Sequence, residues 1–230
     1  MTTDAVFTVG SGVEKQRRDR LSNYFRARRF PLIVSMIENI HRETGRCRIV
    51  DIGGRQEYWD PILPVLAKCN AHITVINLEK TQPQCGMLFD FEFGNACDLS
   101  KFGDRAFDLA HSNSLLEHVG NWGHMRAAAN EMRRVASAYY VQTPYFWFPL
   151  EPHFRVPFYH WMPEQLRCAM NMRWKLGYIG KATTLDHAMA NVQSAALLDK
   201  RQFQALFPDA EVQFERVLGL PKSLIAHRPG

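Results

Sequence analysis

The stretch Arg48–Gly54, R-I-V-D-I-G-G, constrains this chain more than any other. β-Branched residues in a row, closed by a carboxylate and two glycines, describe a buried parallel strand that hands the chain to a tight turn. Glycine at such a turn accepts φ > 0 and, lacking Cβ, lets the backbone come close to a ligand. In a doubly wound α/β sheet this is the edge at which ligands are held. Buried strands of any α/β protein can end in Asp-x-Gly, so the rest of the chain has to decide.

Strand and helix signals alternate downstream. Asp60 with Pro61 reads as a helix start, and Ile62, Leu63, Val65 and Leu66 give its apolar face. A second strand is predicted over His72–Leu78, and Asn77 and Glu79, two apart, share a face at its end. A short third strand, Phe89–Phe93, leads into G-N-A-C-D-L, and a fourth spans Phe107–Ser112. Asn121 then caps a helix whose stripe is Met125, Ala128, Ala129, Met132 and Val135. Ala138–Thr143 is a fifth strand, stopped by Pro144. Such alternation argues for a parallel sheet covered on both faces. Ahead of it the spacing predicts a helix from about Arg17 to His41, broken in two at Pro31. Beyond it, helices are expected from Pro163 to about Trp174, over Leu185–Leu198 and over Leu198–Phe207. Strands at Glu211–Val217 and Ser223–His227, joined by L-G-L-P-K, should pair as an antiparallel hairpin.

A chain of 230 residues can bury one full core. We expect residues 1–29 to form a basic tail and helix, residues 30–230 one domain, and residues 144–198 an insertion within it. With 46% hydrophobic and 22% charged residues, the chain has the composition of a soluble globular protein. Neither a membrane-spanning run nor a signal peptide is evident, which points to the cytoplasm. The five cysteines are scattered and never spaced C-x-x-C, as expected of free thiols. Much of the net charge of +5 comes from Lys15, Arg17, Arg18, Arg20, Arg26, Arg28 and Arg29. Two readings are open, a phosphate- or anionic-lipid-binding patch and, more plainly, a solvated helix face. No aromatic platform is interleaved there in the manner of a nucleic-acid binder.

Residues 144–161, P-Y-F-W-F-P-L-E-P-H-F-R-V-P-F-Y-H-W, differ in kind. Four prolines forbid a regular helix or central strand, and eight aromatic rings lie among them. Irregular segments after the carboxyl end of a sheet often serve as lids. Tyr145, Trp147, Phe148, Phe154, Phe158, Tyr159 and Trp161 are candidate walls of a small-molecule pocket, with Glu151, His153 and Arg155 as its polar points. Alternatively, the rings simply cover the sheet edge.

Taken together, R-I-V-D-I-G-G, the strand ending N-L-E, the G-N-A-C-D-L turn and F-D-L-A-H-S-N-S-L-L-E-H-V resemble the successive motifs of class I S-adenosylmethionine-dependent methyltransferases. The L-E-H-V element is similar to that of the small-molecule, type 11-like branch. This resemblance covers roughly residues 30–228. It implies an α/β, Rossmann-like, doubly wound seven-stranded sheet, mostly parallel with the last strand antiparallel, and helices on both faces. It also implies S-adenosyl-L-methionine as cofactor. Asp51, Gly53 and Gly54 would meet its methionine part, Asn77, Leu78 and Glu79 the ribose, Asn95 and Ala96 the adenine, and Ser112 and Asn113 the floor beside the sulfonium. The loop departs from the family's D-x-G-x-G-x-G, because Arg55 and Glu57 replace the second and third glycines. Arg55 either pairs with the cofactor carboxylate or faces solvent. Where the family carries an acid, Asn77 stands, so ribose recognition rests on Asn77, Glu79 or both, with Glu79 preferred because a carboxylate accepts from two hydroxyls.

Methyl transfer needs orientation and exclusion of water, and a hydroxyl acceptor also needs its proton removed. His118, Glu117, His153 and Glu151 are the candidates, of which His118, Glu151 and His153 are the preferred catalytic set. Glu117 and His118 are adjacent and would face about 100° apart on a helix, so by themselves they make no metal pair. The expected partner is a small-molecule acceptor, methylated at oxygen, and a homodimer is compatible with the sequence. An oxidoreductase is disfavoured by the missing G-x-G-x-x-G. A non-catalytic binding or scaffold protein and, less favoured, a nucleic-acid methyltransferase are the alternatives.

Overall fold

The computed structural model describes residues 12–78 and 87–230. Seven strands form one sheet: β1 (Cys47–Ile52), β2 (Ala71–Asn77), β3 (Phe89–Phe93), β4 (Phe107–Asn113), β5 (Ala136–Pro144), β6 (Glu211–Val217) and β7 (Leu220–Arg228), in the order β3-β2-β1-β4-β5-β7-β6. The first five run parallel, whereas β7 lies antiparallel to both β5 and β6. The expected hairpin is therefore present, with β7 inserted between β5 and β6.

The two-residue period of β1 divides the core. Cys47 and Ile49 pack on one face with α1 (Gly12–Thr44) and α2 (Leu63–Lys68), through Ile33, Ile37 and Leu66, and with Trp59 from the turn ahead of α2. Val50 and Ile52 pack on the other with α3 (Trp122–Val135) and α6 (Lys200–Leu206). The stripe predicted for α3 is the buried one, and the Asn121 side chain accepts from the His124 amide at 3.1 Å, capping the helix.

Three expectations need correcting. Pro31 lies inside a continuous α1 and does not break it. Its ring is exposed, as is Ala27, whose carbonyl loses its helical partner and can be met by water. Asp60 does not cap a helix; Asp60–Ile62 is a 3-10 turn without a side-chain cap, and α2 begins at Leu63. The helix expected over Leu185–Leu198 is α5 (Leu185–Val192), and the chain then runs as a loop.

In the basic N-terminal segment, the side chains of Lys15, Arg17, Arg18, Arg20 and Arg26 lie outside the described residues, and Arg28 is exposed. Arg29, by contrast, is buried and ion-paired. Its guanidinium donates to both oxygens of Glu215 on β6, at 2.8 and 2.6 Å, and also to Asn113 on β4 and Gln142 on β5. One arginine thus ties α1 to three strands.

The insertion has a small core of its own. Phe154, Tyr159, Cys168, Leu176, Ile179, Ala188 and Val192 pack together, drawing α4 (Glu164–Arg173) against α5. It rejoins the sheet through the Tyr145–Leu198 bridge and through the Ala196 amide, which donates to the Glu117 carbonyl at 2.8 Å. Cys47, Cys69, Cys97 and Cys168 are free thiols. No helix among the described residues is long and apolar enough to cross a membrane.

Candidate active site

Two cavities open near the carboxyl ends of the parallel strands. The first, about 280 Å³, is lined by Gly53, Asn77, Leu78, Gly94, Asn95, Ala96 and His118, together with Leu115, Cys97 and His124. Its geometry begins with Gly53, at φ +75°, whose amide donates to the Ile76 carbonyl at 2.8 Å. A Cβ there would stand 2.6 Å from Leu115 Cδ1, a side-chain tip that can shift, so it is the positive φ that makes the turn require glycine. Asn95 closes the next turn, its side-chain oxygen accepting the Cys97 amide at 3.0 Å, and its amide nitrogen takes no part in that contact.

Asp51, Gly54, Arg55, Ser112 and Asn113 are not brought to this lining. The Asp51 carboxylate is fully buried and points to the opposite face of the sheet. There Trp59 Nε1 donates to it at 2.8 Å and His111 Nδ1 lies 2.7 Å away. A Cβ on Gly54 would fall 1.8 Å from Asp51 Oδ2, so that glycine makes room for the carboxylate. Arg55 is exposed. Ser112 donates to the Ile52 carbonyl and so ties β4 to β1, while Asn113 accepts from Arg29. Glu79 lies outside the described residues. Nothing in the sequence announced the Trp59 and His111 contacts, because both partners reach Asp51 through tertiary packing.

The second cavity, about 500 Å³, lies under the insertion and is lined by Phe146, Phe154, Tyr159, His160, Arg167 and Val192, with Glu151 in its wall. Of the rings predicted as pocket walls, Phe154 and Tyr159 line it; Trp147, Phe158 and Trp161 are exposed.

Between the cavities stand two imidazoles. His118, on the 3-10 turn Leu116–His118, directs Nδ1 to the Ser194 carbonyl at 2.8 Å. His153 directs Nδ1 to Glu151 Oε1 at 2.7 Å. Glu151 also accepts the His153 and Phe154 backbone amides, the pattern of an ionised carboxylate. Carbonyl and carboxylate only accept, so each Nδ1 carries the hydrogen, and in the neutral rings each Nε2 is a lone pair. Those two atoms face each other at 3.2 Å. Neither has a hydrogen to give the other, so the pair calls for a cation. Burial pulls the His153 pKa down, but the hydrogen bond and charge of Glu151 outweigh it and hold the ring above its ordinary value.

Glu117 completes the group. Its side chain is fully buried, Oε2 accepts from Thr143 at 3.0 Å, and Oε1 has no hydrogen-bond partner and lies 4.0 Å from His118 Nε2. Burial raises its pKa. Glu117, His118 and His153 offer ligand atoms within 4.8 Å of one another, an arrangement suited to a shared proton or a metal ion. The angle between neighbours on a helix gave no hint of this, because the third member arrives from the insertion.

No protein-family model matches the chain, and no curated protein matches it. Solved structures do. Magnesium protoporphyrin IX methyltransferase from Synechocystis PCC 6803, with bound SAH, superposes with a TM-score of 0.56 at 10% identity, over 96% of this chain and 89% of that one. A SAM-dependent methyltransferase from Methanosarcina mazei matches at 16% identity and a TM-score of 0.47, over 80% and 92% of the two chains. An O-methyltransferase family protein from Burkholderia thailandensis matches at 16% and 0.49, over 92% and 59%. The Synechocystis likeness, together with the strand order and the inserted antiparallel β7, shows that this chain has the Rossmann-like methyltransferase fold.

Proposed function

We propose that this protein transfers a methyl group from S-adenosyl-L-methionine to a hydroxyl oxygen of a small-molecule acceptor. The observation that carries the reading is the His118–His153 pair set between two cavities, with His118 in the wall of the first and Glu151, which holds His153, in the wall of the second.

The first cavity suits the cofactor. Gly53 and Gly94 leave its walls without side chains, Asn95 and Ala96 offer amide groups for an adenine, and Leu78 gives an apolar edge. When bound, the cofactor supplies a methyl group on a sulfonium: the O–CH₃ bond forms, the S–CH₃ bond breaks, and its electron pair returns to sulfur. The protein's part is to hold the acceptor in line, exclude water and take the proton. His153 Nε2 receives the hydroxyl proton as general base, and Glu151 stabilises the resulting imidazolium. His118, fixed by Ser194, shares that proton across the short contact.

Calorimetric titration with S-adenosylmethionine and S-adenosylhomocysteine tests the reading. Micromolar binding is expected for the native chain. Gly53→Val, which puts a Cβ at a positive φ, and Leu78→Asp, at an exposed side chain, should both weaken it at least tenfold. Absence of heat with either ligand would leave the fold without this function.

A further inference from the structure

The insertion carries a disproportionate share of the molecule's exposed apolar surface. Of the thirteen large hydrophobic side chains exposed among the described residues, seven lie between Trp147 and Leu185. Three of them form one ridge. Trp147 and Trp161 stand with ring centroids 5.9 Å apart, and Phe158 follows at 5.0 Å from Trp161. They are 55%, 41% and 49% exposed respectively for Trp147, Trp161 and Phe158, and none of the three lines either cavity.

The backbone beneath holds the ridge outward. Phe158 takes φ +60° and Arg155 φ +53°, the left-handed region that bulky side chains enter only where their surroundings impose it. The imposing contacts are the Phe158 amide, which donates to the Pro149 carbonyl at 2.6 Å, and Phe154 and Tyr159, both buried in the insertion's core. Trp161 Nε1 donates to the Phe146 carbonyl at 3.0 Å, which fixes its ring as well. Contiguous exposed apolar surface of this kind marks contact with a protein or a membrane.

Charge selects between the two. Arg155, Arg173, Lys175 and Lys181 are exposed in the same stretch, whereas its two carboxylates are withdrawn. Glu151 is buried against His153, and Glu164 is half-buried and accepts from Gln193 at 3.1 Å. The next carboxylate, Asp186, is exposed in the first turn of α5. Arg155, on the loop that carries Phe158, donates to the Tyr178 hydroxyl at 2.9 Å and lies over that ring, an uncharged partner that leaves its charge uncancelled. The turn after α4 packs on this loop, since the Tyr178 amide donates to the His153 carbonyl at 3.2 Å, and it adds the exposed Trp174 and Lys175. Indole and phenyl rings beside uncancelled cations suit the headgroup layer of an anionic bilayer, where the rings enter the boundary and the cations meet phosphates.

We propose that this face of the insertion docks on an anionic lipid surface, with Trp147, Phe158 and Trp161 entering the headgroup layer and Arg155 pairing with lipid phosphate. The attachment is peripheral, made by side chains of the loops. It stands apart from the methyl-transfer reading, because none of these four residues lines either cavity.

The test is flotation of the full chain with vesicles of equal parts phosphatidylglycerol and phosphatidylcholine, against vesicles of phosphatidylcholine alone. Binding to the anionic vesicles should be at least ~tenfold tighter, the scale of two cations near a charged surface. Trp147→Ser combined with Phe158→Asn, a residue that tolerates the left-handed backbone, should weaken it at least ~tenfold, and Arg155→Gln about fivefold. A melting temperature within a few degrees of the native value reports that each variant is folded. Quenching of the native tryptophan emission by brominated lipid needs no variant, and it should occur with the anionic vesicles only. Native protein that does not float, emission that is not quenched, or a double variant that binds as the native chain does overturns the inference; the last result would give the contact to the basic N-terminal segment. A native dimer that ignores vesicles and that the double variant dissolves overturns it too, and would give the ridge to a second copy of the chain.

Discussion

His153 gains its basicity from two carboxylates, chiefly Glu151 and to a smaller extent Glu117. Glu151 raises the ring's pKa against the burial that lowers it, so the neutral, proton-accepting form prevails only above a pH somewhat higher than for a free imidazole. Turnover should therefore rise with pH along a limb set by that pKa. Glu151→Gln keeps an oxygen to accept the Nδ1 hydrogen, removes the charge and turns the oxygen that accepts the His153 and Phe154 amides into a donor. The limb should move to lower pH, with a lower plateau because the imidazolium formed during transfer loses its counter-charge. A pH–kcat profile of both proteins measures it, and an unmoved limb would show that His153 is not the titrating base. The composition of this site was readable in the sequence, since Glu151 and His153 stood out in a proline-rich segment. Their meeting with His118, 35 residues earlier, was not, because it depends on how the insertion folds back. The same limit applied to Asp51. Its place at the end of β1 was legible from R-I-V-D-I-G-G, but the alternation of the strand sends its carboxylate away from the cavity, to Trp59 and His111.

At the scale of elements, most boundaries followed from hydrophobic period and turn residues. The misreadings were local rules overridden by packing: Pro31, tolerated on an exposed face of α1, and Asp60, outcompeted by a 3-10 turn. The largest surprise is the role of α1. A charge run looks like a solvated face, yet Arg29 at its centre crosses the sheet edge to Glu215. Burial raises the Glu215 pKa, but the Arg29 hydrogen bonds and charge bring it below its ordinary value of 4.5. A carboxylate depressed in the folded state contributes stability that is complete above its unfolded pKa and is lost as pH falls through the folded one. Arg29→Met leaves the buried carboxylate with only Lys222, 3.8 Å from Oε2, as counter-ion, and about 3 kcal/mol should be lost near neutral pH. Urea denaturation of the two proteins should show that gap closing below about pH 4.5, as Glu215 becomes protonated. A gap independent of pH would assign the loss to packing of the arginine stem.

In the whole molecule, the sheet and the insertion have separate cores, and the site forms where they touch. The joint is narrow: the Ala196 amide donates to the Glu117 carbonyl, and the Ser194 carbonyl orients His118. The first cavity is built almost entirely by the sheet and the loops that leave it, whereas the base depends on the insertion being held in register. Cofactor binding and proton removal should therefore be separable by one substitution at the joint. Ala196→Pro deletes the amide hydrogen and should cost ~1 kcal/mol of stability, the net worth of one hydrogen bond. Because the returning loop then no longer fixes Ser194 against His118, kcat should fall at least tenfold while S-adenosylmethionine affinity stays within twofold. Calorimetry paired with single-turnover kinetics measures both. Equal losses in the two would mean that the insertion shapes the cofactor site as well, and that the sheet alone does not build the first cavity.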